Sequence, residues 1–129
     1  MTKGKYILIY NKVKQSLEEE GLFLDPGLSL KMLSKVIGTN TVYLSRAINE
    51  GYGCSFTAMV NRYRVEYLIK RALRTKESIE DINAKCGFWS RSTFYDVFRE
   101  LKGMTPKRYI ESMKEKTGGR GLMTANPQA

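Results

Sequence analysis

Apolar residues recur at three- and four-residue spacing along most of this chain, the period of a helix that buries one face. Between residues 5 and 20, Tyr6, Tyr10, Val13 and Leu17 mark such a face, which ends at EEE and Gly21. FLDPG then predicts a turn at Asp25-Pro26-Gly27. Ser29 has the chemistry of an N-cap for a short helix, Leu30 to Ile37, closed by Gly38. Thr39 or Asn40 caps the next, which carries Leu44, Ala47 and Ile48 inward and ends near Gly51–Gly53. Ser55 opens the longest helix, to about Arg74, with Phe56, Met59, Val60, Tyr63, Tyr67 and Leu68 as its apolar side. Ser78, three residues before Asp81, resembles a capping box and opens a short helix through Cys86, stopped by Gly87. Ser90 caps a helix whose stripe is Phe94, Val97, Phe98 and Leu101, and Gly103 ends it. Thr105-Pro106 places a cap before a proline at the first helical position and starts a last helix. With no strand-turn-strand pattern, the expected class is all-α.

A second pattern overlies the first. Leu30, Leu33 and Gly38 match Ile79, Ile82 and Gly87 at an offset of 49. Leu44, Ile48 and Gly53 match Phe94, Phe98 and Gly103 at an offset of 50, so one residue is inserted at the second turn. The chain thus holds two copies of short helix, glycine turn and amphipathic helix, which is the helix-turn-helix pattern. This divides it into a lead-in helix and linker (1–25), a first unit (26–54), a linker helix (55–75) and a second unit (76–116). Residues 117–129 show no periodic apolar face and are expected to form a disordered tail.

In a helix-turn-helix the second helix enters the major groove, which is about 12 Å wide and admits a helix. Adjacent major-groove segments on one face of duplex DNA lie roughly 34 Å apart. A linker helix of about 20 residues spans roughly 30 Å, the right order to hold two reading helices one helical turn apart. The presented face of the first is Thr41, Val42, Ser45, Arg46 and Asn49. Arg46 can fork onto guanine, Asn49 can pair with adenine, and Val42 can pack on a thymine methyl, unless Val42 is a core residue. In the second unit the set is Arg91, Ser92, Tyr95, Asp96 and Arg99. Backbone-positioning contacts to phosphate are expected from helix N-termini and nearby cations: Ser29–Leu30, Thr39, Asn40, Ser78–Ile79, Ser90, Lys107 and Arg108. Tyr43 and Tyr109 can each bond a phosphate or serve in packing. Asp96, a lone acid between two arginines, can accept from cytosine N4, or pair with Arg99 and aim its guanidinium.

Composition sharpens this picture. Lys and Arg number 22 against 13 Asp and Glu, a net charge of +9, which argues for a polyanionic partner. Histidine is absent, and Cys54 and Cys86 stand far apart, so no metal site, cofactor or catalytic constellation is expected. Both cysteines read as buried free thiols of a reducing cytoplasm. YILIY is too short for a membrane span, and no membrane contact is expected.

These residues also resemble the AraC/XylS family of transcription regulators, over about Leu28 to Met113. The resemblance rests on YLSRAINEGYGCSF, NRYRVEYLIKRAL, SIEDINAKCGF and STFYDVFRELKGMTPKRYI. Gly87-Phe88, Phe94, Phe98, Gly103, Thr105-Pro106 and Tyr109 form its most specific part. It implies a seven-helix homeodomain-like bundle, with two helix-turn-helix subdomains joined by a long linker helix. It further implies monomeric binding to double-stranded DNA and recruitment of RNA polymerase. Base contacts carried over by position fall on Val42, Ser45 and Arg46, and on Arg91, Ser92, Tyr95 and Asp96. The chain departs from the family at Asn83 and Leu68, where small residues are usual, and at Asp96, where many members have a basic one. The first 25 residues resemble the lead-in that follows a sensor, as in an excised C-terminal domain; a complete stand-alone regulator of this size is the other possibility. The alternative reading from a different class is an all-α protein-interaction or RNA-binding module.

Overall fold

The computed structural model describes residues 2–120, and side chains for residues 4–116. Among them are seven α-helices, one short 3-10 turn and no strand: α1 (Thr2–Glu18), the 3-10 turn Leu22–Leu24, α2 (Leu30–Ile37), α3 (Thr41–Tyr52), α4 (Phe56–Arg74), α5 (Ile79–Asn83), α6 (Arg91–Lys102) and α7 (Pro106–Arg120). They form two compact units that part within α4, between Arg64 and Val65.

The caps expected from sequence set the helix starts. Ser29, Asn40, Ser78 and Ser90 each accept a hydrogen bond from the backbone N–H three residues on, at 2.8–3.1 Å. Each such bond satisfies a donor that the first helical turn leaves without a partner. Left-handed glycines turn the chain after the helices, and they come in matched pairs; Gly38, Gly53 and Gly103 are C-caps, whereas Gly87 closes the turn after α5. Gly38 and Gly87 have φ of +87° and +97°, Gly53 and Gly103 of +72° and +77°. The repeat seen in sequence is therefore a repeat of backbone conformation, available to glycine without steric cost.

In the first unit, Tyr6, Ile9, Val13 and Leu17 of α1 are buried, as are Leu33 and Ile37 of α2 and Leu44, Ala47 and Ile48 of α3. The helix α1 packs directly on α3. At the point of contact a Cβ added to Gly51 would collide with the edge of the Tyr10 ring, so glycine lets the two helices approach this closely. Arg64 is 8% exposed and donates to the carbonyls of Phe23 (Nε, 2.6 Å) and Asp25 (2.9 Å). A buried guanidinium bound in this way pins the turn that leads into α2. Tyr63 donates to Glu18 at 2.7 Å and shares a second 2.7 Å bond with the Tyr52 hydroxyl. Burial and these two partners push the Tyr63 phenol far above its ordinary range.

The second unit is built on Phe94 and Phe98, both fully buried, with Val65, Leu68, Ile69, Ala72, Ile82, Cys86 and Ile110. Phe88 and Tyr109 tilt against this pair, with ring centroids at 5.6 and 5.7 Å. Glu77 ties the end of α4 to the α5 turn, accepting from Arg71 and Lys85 at 2.8 Å each.

Several expectations shift. The helix opened by Ser78 ends at Asn83, not Cys86, because Lys85 and Cys86 turn to three-residue bonds onto Ile82 and Asn83 that lead into Gly87. Leu68 is fully buried, whereas Asn83 is half-buried and receives the Cys86 thiol on its carbonyl at 3.7 Å. Cys54 is half-exposed rather than buried, and both thiols are free. Leu101 is 38% exposed, so the buried stripe of α6 stops at Phe98. The helix α7 continues to Arg120, four residues into the expected tail; extending a helix costs less than starting one, and no proline stands in the way. Residues 121–129 of that tail lie outside the described residues.

Candidate nucleic-acid interface

Each unit presents one face of its second helix away from its core. On α3, burying Leu44, Ala47 and Ile48 leaves Val42, Arg46 and Asn49 exposed, with Thr41 and Ser45 half-buried beside them. Val42 is 59% exposed, so the core alternative for it is excluded. An apolar side chain this open, flanked by Arg46 and Asn49, has no packing role within the unit. On α6, Arg91, Ser92, Asp96 and Arg99 are exposed and Tyr95 half-buried. Among the described residues, Arg46, Asn49, Ser92, Asp96 and Arg99 have no side-chain hydrogen bond or ion pair within the protein, so their polar atoms are available to a partner.

Of the two roles open to Asp96, pairing with Arg99 is therefore not present. The acid that does engage α6 is Glu80, in the first turn of α5. Its Oε2 accepts from the Tyr95 hydroxyl at 2.9 Å and from Arg91 at 3.3 Å. The Tyr95 bond, foremost, and the nearby Arg91 charge hold the Glu80 carboxyl below its ordinary range. In sequence Glu80 is indistinguishable from an ordinary first-turn helix charge. Tyr95 lies 15 residues away, with no local spacing to link them.

The phosphate candidates divide. Lys107 and Arg108 are exposed at the start of α7. The Asn40 side-chain oxygen is committed to its cap, which leaves its amide hydrogens available. Ser90 caps Thr93 and also donates its hydroxyl to Thr93 Oγ1 at 3.0 Å, so its side chain has no hydrogen left for a phosphate. Thr39 is half-buried in the turn. Tyr43 packs edge-on against Tyr6 with Lys5 Nζ 3.7 Å above its ring, and Tyr109 against Phe98. Both tyrosines have a packing role, with the remainder of each ring exposed. Trp89, the chain's one tryptophan, is 77% exposed in the turn between Gly87 and the Ser90 cap.

The geometry is thus a pair of like-built helical faces, one cationic and one mixed. Among the described residues no cluster of three metal-ligating side chains occurs, and no helix is long and apolar enough to cross a membrane. A family model described as a helix-turn-helix domain matches residues 33–112. The xylose operon regulatory protein of Escherichia coli K12 is 28% identical over 89 residues, 69% of this chain and 23% of its own length. Regulatory protein PocR of Salmonella typhimurium is 28% identical over 105 residues, 81% of this chain and 35% of its own. The chain therefore spans about a quarter to a third of the length of these curated relatives. Among solved structures, the C-terminal domain of AraT, a response regulator from Geobacillus stearothermophilus, superposes with a TM-score of 0.72 at 25% identity, over 81% of this chain and 84% of that one. A protein of unknown function from Listeria innocua gives 0.68 at 34% identity, over 79% and 94%.

Proposed function

This chain belongs to the AraC/XylS family of helix-turn-helix transcription regulators, and from that premise we propose that α3 and α6 read base edges in two major-groove segments of one duplex. The observation that carries this reading is the matched pair of exposed faces. Val42, Arg46 and Asn49 stand on one, Arg91, Ser92, Asp96 and Arg99 on the other, each following a left-handed glycine turn. Thr41 and Ser45 flank the first set, and Tyr95 sits within the second. Lys107, Arg108, the Asn40 amide, the Thr39 hydroxyl and the backbone N–H of Ser90 set the register on phosphates, the Thr39 N–H being held by the Ser34 carbonyl at 2.9 Å. Tyr43 and Tyr109 contribute only their exposed edges. The isolated chain binds as a monomer, works in the cytoplasm and regulates transcription through contact with RNA polymerase.

Selection of bound sequences from a random duplex pool tests this. A two-part enriched motif is expected, and Arg46→Ala should cost about 1–3 kcal/mol at one position within the part read by α3. Equal losses on selected and random DNA would show Arg46 touching phosphate alone. No enriched motif, or a preference for single strands, would return the chain to the class of all-α interaction or RNA-binding modules.

A further inference from the structure

The two reading units match in backbone but not in charge. At the offset of 49, Lys31 in α2 corresponds to Glu80 in α5. At the offset of 50, Ser45 corresponds to Tyr95 and Arg46 to Asp96. The first unit therefore places cations at two positions where the second places carboxylates. Ser45 is too short to reach across to α2, whereas Tyr95 reaches back to α5 and ends on Glu80 Oε2.

That bond decides what the tyrosine can offer a base. A phenol has a single hydrogen to donate and lone pairs that accept. With its hydrogen directed at Glu80, the Tyr95 oxygen turns only lone pairs outward. Arg91 is held from the same oxygen atom, at 3.3 Å, with its carbon 5.4 Å from the Tyr95 ring centroid. Its remaining N–H groups stay available. The ion pair is exposed, 67% at Arg91 and 54% at Glu80, so it adds little to folding stability. Its consequence is orientation.

We propose that Glu80 is a specificity-positioning residue of the second unit, which makes Tyr95 an acceptor for a base amino group and fixes Arg91 beside it as the donor. Adenine N6 and cytosine N4 are the major-groove amino groups that such an acceptor selects, whereas guanine and thymine present acceptors at the corresponding edge. Asp96, one residue on, adds a second acceptor, so this face favours an amino-bearing edge next to an arginine-read guanine. The carboxyl's depressed titration keeps Glu80 ionised, and so an acceptor, throughout the neutral range.

This inference rests on the DNA-reading assignment of α6, and one experiment distinguishes the two. Sequences are selected from a random duplex pool with the full chain, and the position at which Tyr95→Phe changes the preference is located. Affinity is then measured for all four base pairs there with the parent chain, Tyr95→Phe, Glu80→Ala, Glu80→Gln and Glu80→Ala/Tyr95→Phe. The parent should discriminate by about five- to tenfold, the worth of one hydrogen bond. Glu80→Ala should reduce that ratio to within about twofold or move it to a guanine- or thymine-bearing edge. Glu80→Gln should keep it, because the amide oxygen still accepts from the phenol. The double variant should discriminate no less than Tyr95→Phe alone. A ratio unchanged in Glu80→Ala, with uniformly tighter binding on every duplex, makes Glu80 a mere repelling charge and overturns the proposal alone. No enriched motif overturns the DNA reading and the proposal together.

Discussion

Asp96 is the residue at which family resemblance and local chemistry diverge most. It faces outward from α6 and, among the described residues, has no partner within the protein. An unpaired carboxylate near phosphates is unfavourable unless a base donor meets it. Asp96→Asn removes the charge but keeps an acceptor oxygen and adds donors. Readout of a cytosine predicts that the variant loses discrimination at one base pair, by about 1–3 kcal/mol. Uniformly tighter binding across sequences, measured on the same panel of duplexes, would instead make Asp96 a brake on affinity. Arg46→Ala, at the counterpart position of the first unit, should contrast with that brake, since it weakens the preferred site most.

The helices show how stable this presentation is. Gly51→Ala improves helix propensity by about 1 kcal/mol, but the new carbon would collide with the edge of the Tyr10 ring. Overpacking of this kind costs about 1–3 kcal/mol; with a ring directly in the way, a net loss of about 1–2 kcal/mol is expected in urea denaturation. On a Tyr10→Ala background the same change should be neutral or stabilising, because only the propensity gain remains. At the α4–α5 junction, bonds from Lys85 and Arg71 pull the Glu77 carboxyl down to about 2 from an ordinary 4.5. A group held low in the folded state favours folding above its unfolded pKa, and that contribution fades as pH falls from about 4.5 toward 2. Glu77→Gln should therefore unfold more easily than the parent at pH 7, and the two unfolding midpoints should converge near pH 2.

Element starts and stops were legible because caps and left-handed glycines act locally: Ser29, Asn40, Ser78, Ser90 and Thr105-Pro106 each stand within three residues of the group they satisfy. The two exposed faces followed, since knowing the buried side of an amphipathic helix fixes the other. What sequence did not reveal depended on distant partners. Arg64 reaches carbonyls about forty residues away, and Glu80 reaches Tyr95 from another helix. The extent of the Ser78 helix is not legible because Gly87 marks the end of a turn and not the end of the helix before it. Tyr43 and Tyr109 show the same limit, as a half-buried ring and a phosphate donor are written with the same letter.

For the whole molecule, charge governs affinity more than specificity. A net charge of +9 is available, and the phosphate candidates centre on helix starts and on Lys107 and Arg108. If about five phosphates are neutralised, the logarithm of the binding constant should fall with the logarithm of salt at a slope of about −4.5. Titrations from low to moderate salt measure that slope; a value near zero would be incompatible with duplex DNA as the partner. Lys107→Ala should make the slope shallower by about 1 and leave the enriched motif unchanged.

Trp89 gives the second unit its own optical address. The chain has no other tryptophan, and this one stands 77% open just ahead of the cap that starts α6. Indole emission depends on the water around the ring, so a partner that covers α6 should shift and quench it, whereas events confined to α3 should leave it unchanged. Unlabelled protein can thus report when its second half engages, separately from its first.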